Sequence, residues 1–216
     1  MVTQNQRKIF SPLSTPAITE ASFLGYEFKI VLASTSPRRI KLLKELGFDF
    51  TVAEPAAEES STHSDPKKRV IQNAEAKALS VSSRFPNAVI IGADTIVYLE
   101  GVFLGKPENI DDAVHMLESL SGKTHHVYTG VVVLDTASGE KASGFEDTRI
   151  KFVEISKTTI EQYVASGEPM DKAGAYAIQG SGKAFVEELE GSWSNVVGLP
   201  LELLKDLLNK IRAESS

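Results

Sequence analysis

The chain has 216 residues, 42% of them hydrophobic, a formal net charge of −6 and no cysteine. That length and composition suit a globular domain with a sizeable core, and they exclude disulfides, Cys-built zinc sites and Cys nucleophiles. The negative balance argues against a reader of nucleic-acid backbone, although a few Lys and Arg can still focus positive potential in one cleft for a small anion. No apolar run of about 18 residues is available to span a membrane. With only four His, any metal would rest mainly on oxygen ligands, as Mg²⁺ or Mn²⁺ does.

Residues 1–28 are rich in Ser and Thr, contain Pro12 and Pro16, and read as a flexible extension. Arg7 and Lys8, with no acid before Glu20, leave an organelle leader open as the other reading. The stretch lacks the apolar core of a secretory signal, and the expected compartment is the cytoplasm. Residues 29–216 read as the ordered domain. Ile30-Val31-Leu32-Ala33 suits a buried strand. Ser36-Pro37 then reads as the cap and first residue of a helix, with Ile40, Leu42, Leu43 and Leu46 as its apolar stripe and Gly47 as its stop. A second strand is expected at 48–53 and a loop at 55–64. Asp65-Pro66 opens a helix to about Ser83, with Val70, Ile71, Ala74 and Ala78 inward.

Val89-Ile90-Ile91-Gly92 reads as another buried strand, followed by a hairpin of 96–99 and 102–104 about Glu100-Gly101. Asp111-Asp112 starts a helix that ends at Gly122. Two long alternating strands, 126–135 and about 141–155, flank a turn at 136–139. Ser156 caps a helix closed by Gly167. Residues 176–178 and 184–186 look like short strands. A final helix after Pro200 places Leu201, Leu204, Leu208 and Ile211 on one face. The order of elements predicts a mixed α/β fold, a central mixed sheet flanked by helices.

Four features could carry chemistry. In Ser34-Thr35-Ser36-Pro37-Arg38-Arg39 a buried strand feeds a helix N-terminus, whose free N–H groups and dipole, with two hydroxyls and two guanidiniums, make a phosphate cradle. The other reading is a capped surface helix with solvated arginines. In Gly92-Ala93-Asp94-Thr95 an acid among small neighbours follows an apolar strand, and it either caps a turn or faces a cleft. Lys106, in Gly105-Lys106-Pro107, is a ligand contact or a solvated turn residue. Residues 167–176 place two acids and Lys172 on an anchored, Pro/Gly-rich segment, as a site or as a charged turn. His125 and His126 read as packed or surface imidazoles before they read as bases. Trp193 and Phe185 are expected in the core.

Taken as a series, these motifs resemble the Maf family. The series is Leu32 to Arg39, Gly92-Ala93-Asp94-Thr95, Gly105-Lys106-Pro107, Leu120-Ser121-Gly122 with His126-Val127-Tyr128-Thr129, and Glu168 to Tyr176 with Ile178-Gln179-Gly180. The resemblance covers about residues 29–212. It implies a two-lobed fold around a cleft, like that of the inosine triphosphate pyrophosphatases, and a cytoplasmic, commonly dimeric enzyme. It also implies a divalent cation, Mg²⁺ or Mn²⁺, and cleavage of a nucleoside triphosphate to the monophosphate and pyrophosphate. Asp94 takes the role of proton acceptor. Arg38, Thr95 and Gln179 match the branch acting on dTTP and UTP, whereas the 7-methyl-GTP branch departs there. Lys77 matches the family's helix lysine. Its acid after the second strand falls on Glu54, with Glu58 and Glu59 as alternative registers. On that basis Asp94 and Glu54 would hold the metal, and Ser34, Arg38, Arg39, Lys77, Lys106 and Lys172 the phosphates. The same chemistry on another or modified nucleotide such as 7-methyl-GTP, a nucleotide-binding regulator with little turnover, and a phosphatase releasing single phosphates are the competing readings.

Overall fold

A computed structural model describes residues 29–57 and 61–214. The extension and the alternative acids Glu58 and Glu59 lie outside the described residues. The elements in chain order are β1 (Lys29–Leu32), α1 (Pro37–Glu45), β2 (Phe50–Val52), α2 (Pro66–Ser82), β3 (Ala88–Leu99), β4 (Val102–Leu104), α3 (Ile110–Leu120), β5 (Thr124–Asp135), β6 (Lys141–Phe152), α4 (Lys157–Ala165), β7 (Val186–Glu190), α5 (Trp193–Val197) and α6 (Leu201–Glu214). The strands form one seven-stranded sheet in the order β2-β1-β3-β5-β6-β7, with β4 also on β3. β1 runs parallel to β2 and β3, and the other pairs are antiparallel, so the sheet is mixed as expected.

Side chains of β3 alternate between the two faces. Ile90 and Ile96 pack under α2, with Ala74, Ala78 and Val70. Ile91, Ala93 and Val97 face the larger core, built with Leu117 and Leu120 of α3, Ile160 and Val164 of α4, and Leu204 and Ile211 of α6. Helix starts follow their caps: the side chains of Asp65, Asn109 and Ser156 accept from backbone N–H groups of the first turns of α2, α3 and α4. Ser36 departs from that pattern, because its side chain makes no cap bond on α1.

Four expectations are corrected. The expected strand at 89–92 and the first arm of the hairpin are one strand, β3, running without a break through Gly92-Ala93-Asp94-Thr95. Gly and Asp are poor strand formers in isolation, but here both are fixed by the helix above them. Residues 176–178 are not a strand: Gly174 and Ala175 take left-handed φ of 69° and 56°, which turns the chain out of an extended path. Residues 181–185 form a 3₁₀ turn, and the strand begins only at Val186. Trp193 is 42% exposed while Phe185 is buried, so only the second of these aromatics is core. Trp193 opens the short helix α5, which has too few residues to show a period.

α2 lies unusually close to the sheet. A Cβ on Gly92 would come within 2.2 Å of the Ala74 carbonyl oxygen, and one on Gly130 within 2.4 Å of the Val70 carbonyl. Neither backbone group can swing aside without moving the helix. Gly130→Ala is therefore expected to cost about 1–3 kcal/mol as overpacking, read as a lower urea midpoint. An unchanged midpoint would show that α2 has room to spare.

Candidate active site

The cleft originates in a gap along one edge of β3. β1 pairs with β3 as far as Ile91, and β4 pairs with it from Val97 to Leu99. Residues 92–96 thus have no strand beside them on that edge, while β5 continues on the other, with Asp94 opposite Gly130 and Thr95 opposite Thr129. An edge open for five residues exposes both faces of the strand to one cavity, so neighbouring side chains that point to opposite faces can both line it. Asp94 and Thr95 do so, in a cavity of about 430 Å³. The site lies beyond the carboxyl ends of the parallel pair, where ligands of open α/β sheets commonly bind.

Asp94 is 1% exposed. Its Oδ1 accepts from Lys77 Nζ at 2.6 Å and its Oδ2 from Asn73 Nδ2 at 2.9 Å. Asn73 and Lys77 stand one turn apart on the buried face of α2, the spacing that stacks two side chains above one spot. Asn73 Oδ1 accepts from the Ser61 N–H at 3.1 Å, which fixes the orientation of its amide. The two close-approach glycines flank this arrangement, Gly92 two residues before Asp94 on the same face and Gly130 opposite it. They bring the helix down far enough for a buried carboxylate to meet a cation and an amide, as burial of a charge requires.

The start of α1 forms the next wall. Ser34, Thr35, Ser36 and Pro37 line the cavity, and they place the positive end of the α1 dipole, uncapped by the Ser36 side chain, against it. Ser34 Oγ accepts from the Ser36 N–H and from Arg39 Nη1. Arg39 is held at two further points: Nε donates to the Gly198 carbonyl at 2.8 Å, and Nη2 to Thr95 Oγ1 at 3.0 Å. Arg38 reaches across to Asp171 at 3.3 Å.

The segment between α4 and β7 closes the opposite side. Glu168 accepts from the Tyr163 hydroxyl and from the N–H groups of Ser181 and Gly182. Burial alone would raise its pKa, but these bonds hold the carboxyl below its ordinary value. Asp171 behaves alike: burial opposes ionisation, and Lys172 at 2.5 Å together with Arg38 outweighs it. The Gly174 N–H donates to the Gly105 carbonyl, which joins this segment to the turn carrying Lys106. Tyr176, Ile178 and Gln179 follow along the wall. Tyr176 hydrogen-bonds His125 Nε2 at 2.8 Å, and both are buried. His125 is a packed imidazole, held to about pKa 3 by burial and, secondarily, by His126.

Ser34, Arg38, Arg39, Lys77, Asp94, Thr95, Lys106, Lys172 and Gln179 all line this one cavity. Glu54 does not. It stands exposed at the end of β2, where its carbonyl accepts from Arg84, and it is the next residues, Pro55 and Ala57, that face the cavity. Sequence reasoning passed over Asn73, whose signal was its position one turn before Lys77. It also left Asp171 without a role. In a chain of net charge −6, the cavity gathers five cationic side chains (Arg38, Arg39, Lys77, Lys106, Lys172) against two carboxylates, Asp94 and Asp171. That excess suits a polyanionic ligand, drawn in by focused potential.

Comparison with known proteins gives a consistent picture. The family model described as Maf-like protein matches residues 29–211. The dTTP/UTP pyrophosphatase of Dictyoglomus thermophilum is 45% identical over 185 residues, which are 85% of this chain and 96% of that protein. The dTTP/UTP pyrophosphatase of Pelotomaculum thermopropionicum is 47% identical over 183 residues, 84% and 96% of the two chains. The solved structure of the Staphylococcus aureus Ham1 protein is similar in fold, with a TM-score of 0.50 at 13% identity, over 84% of this chain and 98% of that one.

Proposed function

We propose that this chain, which belongs to the Maf-like protein family, hydrolyses dTTP and UTP to the nucleoside monophosphate and pyrophosphate. The observation that carries the reading is the gathering of five cationic side chains and a buried carboxylate in one cavity. A triphosphate needs several positive groups to be bound out of water, and its hydrolysis needs an acceptor for the proton of the attacking water. Asp94 is that acceptor. Lys77 holds one oxygen of the carboxylate in place, and Asn73 fixes the second. Arg38, Arg39, Lys106 and Lys172 bind the phosphate chain, with Ser34 and the open N-terminus of α1. Water attacks the α-phosphorus, its proton passes to Asp94, and the bond from that phosphorus to the bridging oxygen breaks. The lysines and arginines offset the charge that develops on the departing pyrophosphate, so most of the catalysis is electrostatic. Tyr176, Ile178, Gln179 and Val197 form the less charged wall, on which the base rests.

The family implies a metal-dependent reaction. Among the described residues no three His, Asp or Glu side chains cluster as a protein-built metal cage. The donor set instead fits Mg²⁺ or Mn²⁺ arriving on the triphosphate, with Asp94 as its protein carboxylate, since Mg²⁺ commonly takes one or two carboxylates besides substrate phosphates. Once bound, such an ion neutralises phosphate charge and makes the attacking water more acidic. Glu54 has no part in this reading, because its exposed side chain stands outside the lining.

The test is a turnover screen with Mg²⁺ or Mn²⁺ over dTTP, UTP, CTP, 7-methyl-GTP and the purine triphosphates, with the products identified. dTTP and UTP should exceed the others by at least about tenfold in kcat/KM, each giving monophosphate and pyrophosphate. Orthophosphate as the product would make the protein a phosphatase. Tight binding with no pyrophosphate released would make it a regulator, and a lead for 7-methyl-GTP or a purine would overturn the choice of base.

A further inference from the structure

Thr129 lies fully buried in β5 and is not among the residues lining the cavity, yet its hydroxyl decides what its cross-strand neighbour can do. Thr129 Oγ1 carries one hydrogen and donates it to the Asn195 carbonyl at 3.1 Å. Its 2.9 Å contact with Thr95 Oγ1 must then be one that it accepts. The single hydrogen of Thr95 is thereby spent inward, and Thr95 can only accept on its other side, where Arg39 Nη2 donates to it at 3.0 Å. The direction of the chain is Arg39 to Thr95 to Thr129 to Asn195.

Its far end is anchored. Asn195 is fully buried in α5. Its Nδ2 donates to the Val127 carbonyl and to Thr148 Oγ1, each at 2.9 Å, which ties α5 to β5 and β6. Three residues on, the Gly198 carbonyl accepts from Arg39 Nε. One short helix therefore holds the guanidinium by two routes, directly through Gly198 and through the two hydroxyls.

We propose that Thr129 is a positioning residue, which holds Arg39 as an anion clamp by making Thr95 an obligate acceptor. The inference rests on the polyanionic ligand proposed above. Without the Thr129 hydroxyl, the Thr95 hydrogen loses its inward acceptor, the Thr95 rotor is no longer locked with its lone pairs toward Arg39 Nη2, and one of the guanidinium's contacts is no longer fixed.

Thr129→Val keeps the shape and removes the hydroxyl, whereas Thr129→Ser keeps the hydroxyl. Inorganic tripolyphosphate, titrated by calorimetry, probes the clamp without any chemistry. Thr129→Val should bind it about five- to twentyfold more weakly, and Thr129→Ser should recover to within about twofold of the unaltered protein. With dTTP the same loss should appear in kcat/KM, since Arg39 holds the phosphate chain and also meets the charge that develops on the departing pyrophosphate. In an Arg39→Gln background Thr129→Val should add less than about twofold, because the two act as one unit. Urea unfolding of each variant separates this from a loss of fold, which would lower affinity equally in both backgrounds. Equal tripolyphosphate affinity with and without the hydroxyl, or an undiminished Thr129→Val effect in the Arg39→Gln background, overturns the proposal. If tripolyphosphate binding responds as expected but no nucleotide is hydrolysed, the clamp stands and the proposed reaction falls.

Discussion

Asp94→Asn is expected to lower kcat on dTTP by about 10³-fold, the scale of losing a positioned proton acceptor. The amide keeps nearly the same volume and can still meet Asn73, but it neither takes a proton nor carries charge. It also leaves the buried ammonium of Lys77 facing an amide in place of a carboxylate, which should destabilise the fold by about 3–5 kcal/mol. Those two effects must be separated, because a partly unfolded enzyme is also slow. Asp94→Asn combined with Lys77→Met removes both charges together, so no buried charge is left without its counter-ion. The double variant should regain most of the lost stability in urea and remain inactive. Recovery of turnover along with stability would show that the pair is architectural. Near-normal kcat in the single variant would remove Asp94 from the chemistry altogether.

His125 should give the fold a marked sensitivity to acid. Its pKa is lowered from an ordinary 6.5 to about 3, with burial the main cause. Above about pH 6.5 the imidazole is neutral in both folded and unfolded chains, and its contribution is fully present. As pH falls the unfolded chain takes up a proton that the folded protein refuses until about pH 3, so stability drains away across that window. The loss amounts to about 2–3 kcal/mol by pH 4.5 and on the order of 4 kcal/mol by pH 3. Glu168 and Asp171 add to the acid limb lower down, since their lowered values make a contribution that is present above the ordinary carboxylate range and lost below it. Urea unfolding of the unaltered protein and of His125→Gln, at pH 7, 5.5 and 4.5, isolates the histidine. Gln can still bond the Tyr176 hydroxyl, and its stability should fall less steeply between pH 7 and 4.5. Parallel pH profiles would refute the assignment.

Much of the scaffold was legible in the sequence, for local reasons. Asp65-Pro66, Ser36-Pro37 and Ser156 mark helix starts because capping and the fixed φ of Pro act within one turn. Alternation marks the long strand after Lys141 because half-buried strands repeat every two residues, whereas its neighbour at 126–135 is buried on both faces and reads as an apolar run. The misreadings share a cause. Residues 92–94 lack strand formers, yet they are extended because α2 and β5 hold them. Residues 176–178 have strand-like side chains, yet two left-handed residues before them bend the chain away. Trp193, read as core by its type, lies at the exposed start of a helix of five residues.

The composition and motif order were enough to settle a mixed α/β fold and to exclude cysteine chemistry, and they named a short list of hydroxyls, acids, cations and one amide expected to serve a polyanion. Motif spacing along the chain could not say that nine of those side chains face one cavity, nor that Glu54 stands apart from it. That depended on a gap of five residues along an edge of β3, and on two glycines that let α2 approach until Lys77 and Asn73 reach Asp94. It depended too on Thr129 finding a carbonyl 66 residues away. Such contacts form between segments far apart in the chain, at distances set by backbone packing, and local propensity carries no record of them.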